Sequence, residues 1–156
     1  ARMYESRAAW ASGNYQKEEQ KAKLAIAATV DSHEKAVGYY WLGVSANRQG
    51  RPQEALRYQK EAITLDPQYA PPYSSLSLAY SVLGKHEDAK INANQCIKLN
   101  PNYAWCYYAL AVVQYNTGST TQALQMFEKA HEIDPLSIDL KNTLDNIKLQ
   151  MKKNNK

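Results

Sequence analysis

The sequence predicts an all-α fold, a solenoid of stacked antiparallel helix pairs, and three observations support this prediction. Gly50, Gly84 and Gly118 are evenly spaced along the chain. Pro67, Pro101 and Pro135 recur at the same interval as the glycines. The segment 65–73 is also repeated in related form at 99–107. A period of about 34 residues is typical of helical hairpins that stack on one another and bury a continuous core.

The first elements follow from apolar residues at helical spacing and from the residues that interrupt them. A helix over 1–12 ends at Ser12-Gly13-Asn14, and a second covers 15–29 with a charged outer face. Asp31-Ser32 then predicts the start of a helix over 34–48, because a short oxygen-bearing side chain accepts hydrogen bonds from the unpaired N–H groups of a first turn.

The later helices alternate between a glycine end and a proline end. Pro52 suits the first turn of a helix over 52–65, and Asp66-Pro67 ends it, since the residue before a proline avoids helical geometry. Glycines and prolines at the same repeat positions predict helices over 70–82, 86–99, 104–116 and 120–133. A last helix over about 137–151 is apolar on one face only, as expected of a helix that caps a solenoid. Nine helices and no strands are therefore expected.

These residues resemble the tetratricopeptide repeat (TPR) family. One copy has Tyr39-Leu42-Gly43-Gly50-Ala55-Ala62-Pro67, the next Tyr73-Leu76-Ser77-Tyr80-Gly84-Ala89-Cys96-Pro101, and the third Tyr107-Leu110-Ala111-Gly118-Ala123-Phe127-Ala130-Pro135. The resemblance implies a right-handed superhelical solenoid forming a single domain over 1–156. Its expected parts are a degenerate or truncated repeat (1–33), three repeats (36–69, 70–103, 104–137), a capping helix (138–152) and a polar tail (153–156).

Stacked hairpins leave a concave groove lined by the first helix of each pair, a surface suited to an extended peptide or a partner's helix. The resemblance to the TPR family implies a non-catalytic protein-interaction module, an adaptor or scaffold that uses this groove. Its predicted partner-binding residues are Tyr40, Val44, Asn47, Arg48, Ser74, Leu78, Trp105, Tyr108, Val112 and Tyr115. Two alternatives stay open: a segment for self-association within a larger protein, and an escort chaperone for an exported or secreted client.

The family's carboxylate clamp grips the acidic C-terminus of heat-shock chaperones with two lysines, two asparagines and an arginine. In the register that starts at Ala36, the corresponding positions hold Tyr40, Val44, Ser75, Trp105 and Ala109. One repeat earlier they hold Met3, Arg7, Trp41, Pro71 and Ser75. Neither set forms a clamp, so the sequence predicts a groove without this mode of binding.

Composition bounds the remaining possibilities. The 156 residues include 44% hydrophobic and 22% charged residues with a net charge of +4, and basic residues alternate with acidic ones rather than forming a basic face. A nucleic-acid partner is therefore not expected, and no apolar run is long enough to insert into a membrane. The sequence opens within a helical pattern, so it resembles a piece cut from a longer chain. The compartment is open, with the cytoplasm favoured.

No catalytic group, metal site or cofactor is predicted. His33, His86 and His131 are far apart in sequence and none has a second ligand at metal spacing. No phosphate-binding glycine loop is present. Cys96 and Cys106 flank the Pro101 turn, each five residues from it, so a hairpin could bring them together. Two small buried thiols packed between helices are favoured over a disulfide.

Overall fold

The computed structural model of the protein describes residues 15–154, and this range contains eight α-helices and no strands. The predicted helix over 1–12 lies outside the described residues. The helices are α1 (Tyr15–Ala28), α2 (Ser32–Arg48), α3 (Pro52–Leu65), α4 (Pro71–Val82), α5 (His86–Leu99), α6 (Ala104–Asn116), α7 (Thr120–Ile133) and α8 (Ile138–Asn154). The last helix continues into the predicted polar tail as far as residue 154.

The helices form an ordered stack of neighbours. Within pairs, α2 packs on α3, α4 on α5 and α6 on α7, while α3–α4 and α5–α6 contacts join one pair to the next. Additional α2–α4 and α4–α6 contacts place the first helices of the pairs side by side. These first helices therefore share one face of the described solenoid, which is the arrangement that a groove requires.

The regularly spaced glycines of the repeat lie in the turns that join the two helices of each pair. Gly50, Gly84 and Gly118 have φ angles of 69°, 72° and 84° and are the residues with positive φ among those described. Each glycine donates its N–H to a carbonyl in the last turn of the preceding helix, at 3.1 Å. Glycine adopts this left-handed conformation without a steric penalty, so its recurrence marks the end of each first helix.

Within the pair formed by α2 and α3, the side chain of Gln59 fills the space that a side chain on Gly43 would need. A Cβ atom added to Gly43 would lie 2.1 Å from Nε2 of Gln59 and 2.6 Å from its Cδ. Gln59 is fully buried and its Nε2 donates to the Tyr40 carbonyl at 3.1 Å. One and two repeats after Gln59, the sequence has Ala93 and Phe127, so the size of the residue at this position varies along the chain.

We expect Gly43→Ala to lower the free energy of unfolding by about 1–3 kcal/mol, because the methyl group forces the buried Gln59 amide to move. In a Gln59→Ala background the same change should be neutral or stabilising, since the obstacle is gone and alanine is the better helix former. Urea denaturation of the four proteins of this double-mutant cycle measures both effects. An equal cost of Gly43→Ala in the two backgrounds would contradict the assignment.

Helix α1 is attached to α2 through the Glu19 carboxylate. Its Oε1 accepts hydrogen bonds from Ser45 Oγ at 3.1 Å and Gln49 Nε2 at 2.8 Å, and it forms an ion pair with Arg51. Burial acts to raise the pKa of Glu19, but the hydrogen bonds from Gln49, Arg51 and Ser45 outweigh it and lower that pKa. This carboxylate therefore links α1 to the α2–α3 turn.

Cys96 and Cys106 form a disulfide, so the expectation of two free thiols was wrong. The Pro101 turn folds α6 back on α5 and brings the two Cα atoms to 5.3 Å, within the span of a disulfide. Both residues are fully buried and pack with Ala70. Disulfides are typical of oxidising compartments and uncommon in the cytosol. The disulfide therefore does not support the favoured cytoplasmic location, which stays a prediction.

Helix α8 covers the last complete pair. Leu140 packs against Ala104 and Ala130, and Leu144 and Ile147 pack around Phe127. Leu140 is 2% exposed, while much of the rest of α8 is open to solvent. The one-sided apolar pattern that predicted a capping helix thus corresponds to the face that α8 buries.

Candidate functional site

A cavity of about 920 Å³ opens along the first helices of the pairs. Helix α2 contributes residues from its middle and C-terminal end, α4 contributes one face, and α6 contributes its first turn. The α7–α8 connection and the start of α8 complete the wall. The lining residues are Tyr40, Trp41, Val44, Asn47, Arg48, Ser74, Ser75, Leu78, Tyr103, Trp105, Asp134, Leu136, Ser137 and Asp139. We call this cavity the groove.

Seven of the ten residues predicted from the sequence lie together in the groove: Tyr40, Val44, Asn47, Arg48, Ser74, Leu78 and Trp105. Successive turns of α2 and α4 and the first turn of α6 present them, because residues three and four apart share a helix face. Ser74 is almost fully buried and its Oγ donates to the Pro71 carbonyl at 2.8 Å. The structure therefore brings these side chains together, and their role in binding stays a prediction.

The other three predicted residues lie outside the groove, against or beside α8. Tyr108 packs edge-on against Phe127 with ring centroids 5.6 Å apart, and Val112 joins the same cluster with Leu144 and Ile147. Burial raises the pKa of Tyr108, and a hydrogen bond with Thr143 of α8 offsets this in part. The Tyr115 hydroxyl donates to Gln150 Oε1 at 2.8 Å. Helix α8 thus occupies the part of the α6 face that was expected to meet a partner.

An aromatic cluster forms one end of the groove. The Tyr40 ring lies edge-on to Trp41 and to Tyr69, with centroids 4.9 Å and 5.8 Å away, and its hydroxyl lies 3.3 Å from the Tyr103 hydroxyl. Tyr40 is only 9% exposed. Burial, with smaller effects of Tyr40 and Asp66, raises the pKa of Tyr69 well above its usual value. The Tyr69 phenol is therefore neutral, and the clustered rings form an apolar wall at this end of the groove.

Comparison with known proteins identifies the repeat. Profiles described as tetratricopeptide repeats match residues 36–69, 70–103 and 92–125. The chain belongs to the tetratricopeptide repeat family. The first two matched segments coincide with two of the predicted TPR units, and the third spans parts of the second and third.

Curated relatives and solved structures agree with this membership. The chain is 28% identical over 107 residues to the Hsp70-Hsp90 organising protein of Plasmodium falciparum, covering 69% of this chain and 42% of the relative. It is 33% identical over 75 residues to heat shock protein STI1 of Saccharomyces cerevisiae, covering 48% of this chain and 13% of that protein. The chain thus spans less than half the length of these relatives.

Among solved structures, a thermophilic TPR protein of Thermus thermophilus superposes with a TM-score of 0.67 at 27% identity, covering 84% of this chain and 71% of the other. The first TPR domain of Spaghetti (RPAP3), bound to the HSP90 peptide SRMEEVD, superposes with a TM-score of 0.63 at 22% identity. That match covers 76% of this chain and 94% of the other chain. The described helices therefore have the TPR fold.

Sequence reasoning missed half of the groove wall in this TPR domain. Asp134, Leu136, Ser137 and Asp139 come from the α7–α8 connection and α8, whose direction depends on how α8 packs. Trp41, Ser75 and Tyr103 were not among the predicted groove residues. The signal that could have identified Tyr103 is its place directly before the first helix of a repeat, next to Trp105.

The described lining of the groove combines aromatic and aliphatic side chains with amide, hydroxyl, guanidinium and carboxylate groups, and it contains no histidine, cysteine or lysine. Within 15–154, no group of three or more histidine, cysteine or acidic side chains has the geometry to hold a metal ion. In the same range, every helix is too short or too polar to cross a lipid bilayer.

Proposed function

We propose that this TPR domain is a non-catalytic adaptor that binds an extended peptide or a helix of a partner protein in its groove. The observation that supports this most directly is the 920 Å³ cavity running along α2, α4 and α6. Continuous concave surfaces of this kind fit a segment of chain rather than a small compact molecule. The anchor residues are Val44, Leu78 and Trp105.

Polar groups in the groove complement these anchors. Asn47 and Arg48 lie at the C-terminal end of α2, and the Asn47 amide can both donate to and accept from a peptide backbone. The Arg48 guanidinium suits a carboxylate of the partner. A partner segment would therefore place apolar side chains against the anchors and polar groups near this pair.

The relatives support peptide binding as a class of function but not the same ligand. The RPAP3 domain is described as bound to an HSP90 peptide, and its second TPR domain as bound to an HSP70 peptide. In this chain the clamp positions hold Tyr40, Val44, Ser75, Trp105 and Ala109, of which the first four line the groove and the last is fully buried. We propose a partner other than such acidic chaperone tails.

The test is selection of binding peptides from a random library displayed on phage, followed by affinity measurement with fluorescein-labelled peptides. We expect Trp105→Ala and, separately, Asn47→Ala to weaken the selected peptide at least about tenfold, because aromatic anchors in a desolvated groove dominate binding energy and an unpaired peptide group loses its hydrogen bonds. Thermal melting of each variant separates loss of binding from loss of fold.

The control is Ile91→Ala, which removes an exposed apolar side chain on α5 outside the groove. This variant should bind like the wild type. Unchanged affinity of both groove variants would contradict the proposal and place binding on another face. Concentration-dependent mass in light scattering, without peptide binding, would instead favour self-association.

A further inference from the structure

The groove carries an unbalanced charge at one end. Its described lining contains one basic side chain, Arg48 on α2, and two carboxylates, Asp134 and Asp139, in the α7–α8 connection and the first turn of α8. The protein as a whole has a net charge of +4, so this wall opposes the overall sign. The charge at this end of the groove therefore differs in sign from the net charge of the protein.

Neither carboxylate takes part in an ion pair among residues 15–154. The basic residues Lys129 on α7 and Lys148 on α8 pair with Glu132 and Glu128 instead, at 2.9 Å and 3.0 Å. Asp134 is half-buried, so its charge is screened less than that of a fully solvated carboxylate. Two negative charges thus face the groove without a positive partner from the described helices.

Aromatic residues line the same cavities as Asp134. A second cavity of about 390 Å³ adjoins the groove and shares Tyr40, Trp41, Tyr103, Trp105 and Asp134 with it. A cavity lined by both a carboxylate and indole rings favours an ammonium or guanidinium group, because the ring quadrupole attracts a cation and the carboxylate pairs with it. The position where the two cavities meet therefore has the chemistry of a pocket for a basic side chain.

We infer that Asp134, Asp139 and Trp105 form a pocket for an arginine or lysine side chain of the peptide that occupies the groove. The inference rests on the proposed function and specifies its ligand as a peptide that combines apolar residues with a basic one. This pocket also fixes which part of the peptide lies at each end of the groove. The basic residue lies at the α8 end, and the groups that contact Asn47 and Arg48 lie at the α2 end. Such a ligand has the opposite charge preference to an acidic tail.

The test uses immobilised decapeptides, acetylated and amidated at their ends, randomised at all positions except a central one fixed as Arg, Lys, Gln or Glu. We expect the wild type to retain the Arg and Lys sets preferentially. The best Arg peptide and its Arg→Gln version are then titrated against wild type and Asp134→Asn/Asp139→Asn. We expect each change alone to weaken binding about tenfold and the two together to cost little more than either alone.

The Asp134→Asn/Asp139→Asn variant is designed to keep the fold, and a second variant controls for the loss of charge. Asn100 stands one repeat before Asp134 at the corresponding helix end, so asparagine suits this position. Asp145→Asn/Glu61→Gln removes the same charge from exposed positions outside the groove and should bind like the wild type. A loss of equal size in this control would show a general charge effect and overturn the pocket.

The outcomes separate the two proposals. One outcome is that peptides bind without preference for a basic residue, that Asp134→Asn/Asp139→Asn does not change their affinity, and that Trp105→Ala abolishes binding. This result would overturn the pocket and leave the adaptor function standing. Peptides whose binding is unaffected by every groove variant overturn both. Loss of the basic peptides with Asp134→Asn/Asp139→Asn alone, and not with the control pair, supports the pocket.

Discussion

Phe127→Ala should lower the free energy of unfolding by about 3–5 kcal/mol, the largest loss expected from a single substitution in this chain. Phe127 is 4% exposed and packs with Ala111 and Ala123 within the last pair and with Leu144 and Ile147 of α8. Its removal leaves a cavity between three helices. For a protein of this size each kcal/mol corresponds to about 2–4 °C in melting temperature.

Urea denaturation and thermal melting measure this loss, and two further variants calibrate it. Phe127→Leu keeps most of the volume and should lose clearly less. Leu149→Ala removes a 52% exposed side chain from α8 and should change stability by no more than about 0.5 kcal/mol. A loss below about 1 kcal/mol for Phe127→Ala would show that α8 does not depend on this ring.

The effect should be concentrated at one end of the solenoid. Repeats of this type contact mainly their neighbours, so the loss of Phe127 acts first on α7 and α8. Amide hydrogen exchange in the variant should speed up in α7 and α8 before it does in α2 and α3. Uniform acceleration across the described helices would instead indicate that the stack unfolds as one cooperative unit.

Reduction of the Cys96–Cys106 disulfide should lower the free energy of unfolding by about 2–4 kcal/mol, since the bond restricts the unfolded chain over a separation of 10 residues. The segment that it closes contains Tyr103 and Trp105 of the groove. Reduction should therefore also weaken peptide binding, because the two aromatic side chains lose part of their preorganisation.

Urea denaturation with and without dithiothreitol measures the change, with Cys96→Ala/Cys106→Ala as the matched control. The control should be insensitive to the reductant and resemble the reduced wild type. Thiol titration of the unfolded, unreduced protein provides an independent check. Two reactive thiols in that titration would contradict the disulfide.

Much of the fold followed from the sequence because it is encoded locally. The glycine and proline spacing set the period, and each predicted helix in the described range lies within a few residues of the observed one. The positive φ angles of Gly50, Gly84 and Gly118 explain why the sequence predicted helix ends at these positions, since few other residues adopt that conformation without a steric penalty. The sequence also identified seven of the groove residues, because helical spacing determines which side chains share a face.

The remaining parts depended on contacts between segments far apart in the sequence. The pattern of α8 showed that one of its faces is buried but not against which helix. The packing of α8 placed the half-buried Tyr108 and Val112 against the core cluster around Phe127, and Asp134 and Asp139 in the groove wall. The Cys96–Cys106 bond likewise required the close approach of α5 and α6. The sequence by itself determined the helices, their ends and the stacked repeat, because these depend on backbone preferences within a few residues. Only the tertiary structure decided which helix face met another helix and which met solvent, because an apolar face buries equally well against any of several partners until packing selects one.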